Sequence, residues 1–275
     1  MRSDLQTGTF PSPALTVLLL LLVLIQGCAG RPWDSTDSHQ AEVQFEQLVH
    51  DIQQQEQKCS QGLTAQAIFH WQAPATSIKL NGSLHLLAPD FVKAVALSPL
   101  NQPLFILTSN STQFQAIDIP AAQTMEGALK ALVRQYGIAI EQVELGNWLS
   151  GRLGSQIETV QPLGWDREKR GYWLVIKEII RKEKIVSRML IDPATQEILA
   201  RVILNSERQA MATISYGDRD QEQACQPPKT IKISDLPYGA GLSIRLSRVT
   251  PGPSKLSSKE FTIQIPDSFT RQILP

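Results

Sequence analysis

The side chains best able to do chemistry in this sequence are three cysteines, Cys28, Cys59 and Cys225. A thiol can be acylated, oxidised or bound to a metal, and its surroundings decide which. Cys28 follows the unbroken apolar run ALTVLLLLLVLI from Ala14 to Ile25, with Arg2 as a positive flank that Asp4 partly cancels. As a helix this run would span ~18 Å, well short of a ~30 Å hydrocarbon core. It therefore reads as a signal-peptide core and not as a permanent span. No later segment approaches ~18 consecutive apolar residues, so the mature chain is not expected to cross a membrane. Processing at Cys28 leaves Cys59 and Cys225 together in an oxidising compartment, where a disulfide between them is expected, with two separate thiols as the alternative.

Other chemistry is sparse. The histidines are His39, His50, His70 and His85, and none has metal-ligand spacing. His70 and His85 fall on polar strand faces. There is no phosphate-binding loop and no Gly-x-Ser-x-Gly elbow. Gly239-Ala240-Gly241 lacks the following helix that a dinucleotide site needs and reads as a strand-linking loop. Carboxylate pairs cannot be placed without a fold. No catalytic residue, metal or cofactor is expected, and the chain does not read as an enzyme. Lysine plus arginine equals aspartate plus glutamate at 26 each, so there is no broad field for nucleic acid. The basic cluster Arg181, Lys182, Lys184 reads as a solvated turn or strand edge. Asn81-Gly82-Ser83 and Asn110-Ser111-Thr112 match the glycosylation sequon but read as turns.

The elements that must carry these residues are mostly strands. Residues 28–40 form a polar tether with Gly30 and Pro32. Phe45, Leu48, Val49 and Ile52 then make one helical stripe within Ala41–Gln57. From Leu63 the period changes to two: Leu63, Ala65, Ala67, Phe69 and Trp71, then Ile78, Leu80, Leu84 and Leu86. Further strands are predicted at Phe91–Leu97, Pro103–Thr108 and Gln113–Ile117. Met125, Ala128, Leu129, Leu132 and Val133 predict a helix ending near Tyr136-Gly137, and Ile140–Leu149 predicts a second with Trp148. Strands resume at Tyr172–Ile180, Ile185–Ile191, Glu197–Leu204, Ala210–Tyr216, Thr230–Ser234, Leu242–Arg248 and Phe261–Ile265. This order predicts a mainly β protein, one curved antiparallel sheet with a helical lid, over residues 41–275 after a signal peptide of residues 1–27.

Two resemblances add to this. Ile25-Gln26-Gly27-Cys28 resembles the lipobox of bacterial lipoproteins. That resemblance implies cleavage after Gly27, diacylglyceryl transfer to the Cys28 thiol and amino-terminal acylation, with Ala29 favouring the outer membrane. The stretch from Asp90 to Gly154 resembles the outer-membrane lipoprotein receptor family of the lipoprotein-sorting (Lol) pathway, LolB. The resemblance rests on Ser98-Pro99-Leu100-Asn101-Gln102 followed by Pro103-Leu104-Phe105-Ile106-Leu107, on Asn147-Trp148-Leu149-Ser150-Gly151, and on Phe261–Pro266 as a last strand.

The resemblance implies an open half-barrel with helices over an apolar cavity for acyl chains. Leu100 matches the family's protruding membrane-insertion residue. Asn101 stands where the family has glycine, and asparagine tolerates a left-handed backbone. Phe69, Trp71, Phe105 and Leu107 are the expected cavity residues, although they could equally be core packed under the helices. The expected function is binding of lipid or lipoprotein acyl chains at the outer membrane, from the periplasmic side, with a periplasmic lipoprotein carrier as a partner. The alternative is a docking lipoprotein of an envelope complex.

Overall fold

The computed structural model describes residues 32–34, 39–60, 62–110, 112–131, 144–154, 156–180, 182–205, 207–219, 225–251 and 261–274. Cys28, the signal peptide and Leu132–Val133 lie outside these residues.

Among the described residues, helix α1 (His39–Gln57) is followed by strands β1 (Gly62–Ala73), β2 (Thr76–Leu87), β3 (Phe91–Leu97), β4 (Pro103–Ser109), β5 (Gln113–Asp118) and β6 (Gln123–Ala128). Helix α2 (Leu145–Ser150) precedes β7 (Ile157–Trp165), β8 (Tyr172–Ile180), β9 (Glu183–Asp192) and β10 (Glu197–Leu204). Strands β11 (Ala210–Gly217), β12 (Thr230–Leu236), β13 (Ala240–Pro251) and β14 (Thr270–Leu274) complete it. All fourteen strands join one open sheet in the order β14-β6-β5-β4-β3-β2-β1-β13-β12-β11-β10-β9-β8-β7. The architecture is the curved, mainly antiparallel sheet that the alternating pattern predicts; among the described strands, only β14 pairs in parallel, with β6.

Because neighbouring strands run antiparallel, the turns fall on two rims. One rim carries the β1–β2, β3–β4, β5–β6, β8–β9, β10–β11 and β12–β13 connections. The opposite rim carries β2–β3, β4–β5, β7–β8, β9–β10 and β11–β12. Helix α1 buries Phe45, Val49 and Ile52, spaced as one stripe. The Phe45 ring lies 4.3 Å from that of Tyr172. Helix α2 is buried along Gly146–Ser150 and ends at Gly151, left-handed at φ 67°. Residues from both helices and most strands share one apolar core.

Three segment predictions are corrected. Met125–Ala128 belongs to β6, paired with β5 and β14, and helical geometry is confined to residues 129–131 among those described. The apolar spacing there suited a helix, and sheet pairing overrode it. Phe261–Ile265 is not a strand: Phe261 is buried with its ring 5.3 Å from Phe91, and the Ile263 N–H donates to Gln115 Oε1 at 3.2 Å. Its alternation reflects packing onto the sheet rather than a ladder. Asn81-Gly82-Ser83 lies inside β2, where a Cβ on Gly82 would sit 1.9 Å from the Val95 carbonyl oxygen. Glycine there permits close strand approach, not a turn. The Asn110 segment does form a turn, with Asn110 Oδ1 accepting from the N–H groups of Thr112 and Gln113.

Candidate functional site

The register places Phe69, Trp71, Phe105 and Leu107 on one face. Phe69 pairs with Leu80 and Ile244, and Trp71 with Ile78 and Leu242. Phe105 shares a row with Ala96, Gly82 and Ala67, and the Phe69 ring leans over the same Gly82. Phe69 and Leu107 are half-buried against the main core. Trp71 and Phe105, 38% and 40% exposed, sit where the sheet opens to solvent. Ile78, Leu100 and Tyr238 are exposed on the same rim.

Leu100 is at the tip of the β3–β4 turn and is 79% exposed. Ser98 builds this turn: its Oγ accepts from the N–H groups of Leu100 at 3.2 Å and Gln102 at 3.1 Å. Asn101 takes the left-handed backbone, φ 60°, that closes the loop.

A different site lies on the opposite rim. Cys59, just past α1, is bonded to Cys225 in the β11–β12 connection, with Cα atoms 5.3 Å apart. This disulfide forms part of the wall of a cavity of about 490 Å³. Ile52, Leu63, Leu86 and Ile198 supply apolar wall; Glu56, Arg152, Glu197 and Arg219 supply charge. None of Phe69, Trp71, Phe105 and Leu107 lines it.

Beneath the cavity, Arg201 and Glu178 form an ion pair at 2.9 Å with both side chains fully buried. Glu178 also accepts the Gly154 N–H at 2.8 Å, and Arg201 donates to the Arg152 carbonyl at 2.8 Å. The Arg201 guanidinium lies 5.6 Å from the Trp148 ring centroid. Tyr216 donates its hydroxyl to the Trp148 carbonyl at 2.7 Å, tying α2 to the sheet. Burial pulls Arg201 down, but Glu178 and its neighbours hold it above the ordinary arginine range. Burial pushes Tyr216 up to about 12, so it stays a neutral donor. Burial also raises Glu56 to about 7, against the opposing Leu153 N–H bond and Arg152.

Sequence reasoning missed this cluster. Its signal was present in the strands themselves. Glu178 falls in the same alternation as Tyr172, Leu174 and Ile176, and Arg201 interrupts the apolar ILARVIL of β10. Opposite charges at two inward positions mark a buried pair. His70 and His85 bond neighbouring hydroxyls, Ser77 at 2.9 Å and Thr64 at 3.3 Å. Among the described residues no group of three His, Cys, Asp or Glu side chains is placed to hold a metal, and no helix is long and apolar enough to cross a membrane.

No family model matches this sequence, and no curated protein matches it. Solved structures do match the fold. A LolA superfamily protein from Nitrosomonas europaea superposes with a TM-score of 0.50 at 12% identity, over 79% of this chain and 97% of its own. The fold is LolA-like. A DUF1329 family protein from Desulfovibrio piger gives a TM-score of 0.54 at 9% identity, over 78% of this chain and 95% of that one. At these identities the LolA-like sheet is what is shared.

Proposed function

We propose that this protein binds acyl chains of lipids or lipoproteins in the bacterial envelope, anchored to the outer membrane through acylated Cys28 with its folded part in the periplasm. The observation that carries this reading is the open end of a LolA-like sheet, where Trp71, Ile78 and Phe105 continue the buried apolar face into solvent. A chain laid along that face gains ~0.8 kcal/mol per buried methylene, so affinity requires no catalytic group and no reaction step. Leu100 on the same rim is the proposed contact with the receiving bilayer. Burying it contributes ~1.5–3 kcal/mol, enough for a transient contact and too little for anchoring. Mass spectrometry of the protein extracted in mild detergent tests the reading. Bound lipid or lipopeptide is expected, and a Trp71→Ala/Phe105→Ala variant should lose it. A stable protein partner with no lipid would instead favour a docking lipoprotein.

A further inference from the structure

Two arginines in the disulfide-walled cavity lack the partner that their deeper neighbour has. Arg201 finds Glu178 at 2.9 Å. Arg152 and Arg219 line the cavity itself, and among the described residues neither makes an ion pair. Arg152 donates to the Ser60 carbonyl at 2.6 Å. Arg219 donates to the Gly151 carbonyl at 3.0 Å and the Gln226 carbonyl at 3.4 Å. A guanidinium has five N–H donors in a rigid fork, so most of each fork remains for something else.

The position of Arg219 is built in. A Cβ on Gly151 would meet Arg219 Nη2, and Gly151 holds a left-handed φ of 67°. A larger residue there would meet the end of the Arg219 side chain, which would have to shift. We infer that this cavity is a binding site for an oxyanion, a carboxylate or phosphate, held between Arg152 and Arg219.

The charges around the cavity fit an anionic guest. Burial depresses both guanidinium groups below the ordinary arginine range, against the opposing charges of Glu56 on Arg152 and of Glu197 and Glu56 on Arg219. Facing them are Glu56 from α1 and Glu197 from β10. Glu56, at about 7, is close to half-protonated at neutral pH. Behind them Arg201 and Glu178 cancel, Tyr216 is neutral, and Glu144 accepts from Asn147. Among the described lining residues, two arginines face two glutamates, and the balance turns positive as Glu56 takes up a proton. A volume of about 490 Å³ with Ile52, Leu63, Leu86 and Ile198 on its walls also admits a short apolar body behind the anion. The site does not depend on acyl binding at the far rim.

The test is calorimetric titration of the purified full chain in mild non-ionic detergent with three probes: inorganic phosphate, butyrate and decanoate. Saturable binding of at least one probe is expected, weakened at least tenfold by Arg152→Gln and by Arg219→Gln. Arg219→Lys should bind less tightly than the parent and more tightly than Arg219→Gln. In the Trp71→Ala/Phe105→Ala background, decanoate binding well above butyrate identifies a lipid headgroup; equal binding identifies a free small acid. Butyrate does not titrate between pH 6 and 8, so its binding should strengthen up to tenfold on acidification across that range. That gain should vanish in Glu56→Gln. If Arg219→Gln fails to fold, Arg152→Gln and Arg219→Lys decide. No saturable binding of any probe, or binding indifferent to the arginines, overturns the inference.

Discussion

Trp33 and Leu100 belong to opposite rims of the sheet. Trp33 pairs with Asp166 beside the β7–β8 turn, its ring 6.0 Å from Trp173 and covered by the Arg188 guanidinium at 5.3 Å. Leu100 tips the β3–β4 turn, nine strand steps away in the sheet order. Trp33 follows Cys28 by five residues, which span at most ~18 Å in any conformation. A nine-residue strand such as β7 is ~30 Å long.

Under the proposed anchor at Cys28, turning the Leu100 rim squarely to the bilayer would require Trp33 to leave the sheet. Trp33→Ala is expected to raise the rate of lipid transfer to vesicles, and adding Leu100→Glu should remove the gain. Leu100→Glu alone should change stability by no more than about 0.5 kcal/mol, because the side chain is exposed. Transfer that is unaffected by Leu100→Glu would contradict the delivery role.

Arg201→Met leaves Glu178 charged and alone in the core. We expect a loss of about 3–5 kcal/mol, read from urea denaturation. The double variant Arg201→Met/Glu178→Leu should recover most of it, since no charge is then left buried. Equal losses in single and double variants would mean that the pair acts through shape and not charge.

The Cys59–Cys225 bond closes a loop with a sequence separation of 166. Chain entropy sets its contribution at up to about 5 kcal/mol. Cys59→Ser/Cys225→Ser should lower the urea midpoint accordingly and loosen the cavity wall. A midpoint unchanged from the oxidised parent would show that the wall holds without the bond.

Glu56 sets a pH dependence with a definite sign. Its pKa is raised from 4.5 to about 7 by burial. The native chain therefore holds a proton that the unfolded chain releases in this window, so stability falls as pH rises from about 4.5 to about 7. Glu56→Gln keeps an oxygen to accept the Leu153 N–H, bonded at 3.0 Å in the parent. Its Tm should match the parent near pH 4 and exceed it by a few degrees at pH 8. Parallel Tm curves for the two proteins would remove Glu56 from this role.

Much of the sheet was legible because one face is more deeply buried than the other, as in β1 and β11. Strand β7 escaped because Pro162 and Gly164 interrupt it, at register shifts in its pairing with β8. Strand β14, TRQIL, is an exposed edge with no alternation to read. Leu100 could be placed from its neighbours, since a serine, a proline and an asparagine specify a tight turn locally. The cavity could not, because Glu56, Arg152 and Arg219 come from three distant segments that only the fold brings together.

Native mass spectrometry of the detergent-extracted protein tests acyl binding at the open rim. A bound species of lipid or lipopeptide mass is expected in the parent, absent from Trp71→Ala/Phe105→Ala and retained in Arg219→Gln. A parent that carries no such species, or a Trp71/Phe105 variant that carries it undiminished, would contradict it.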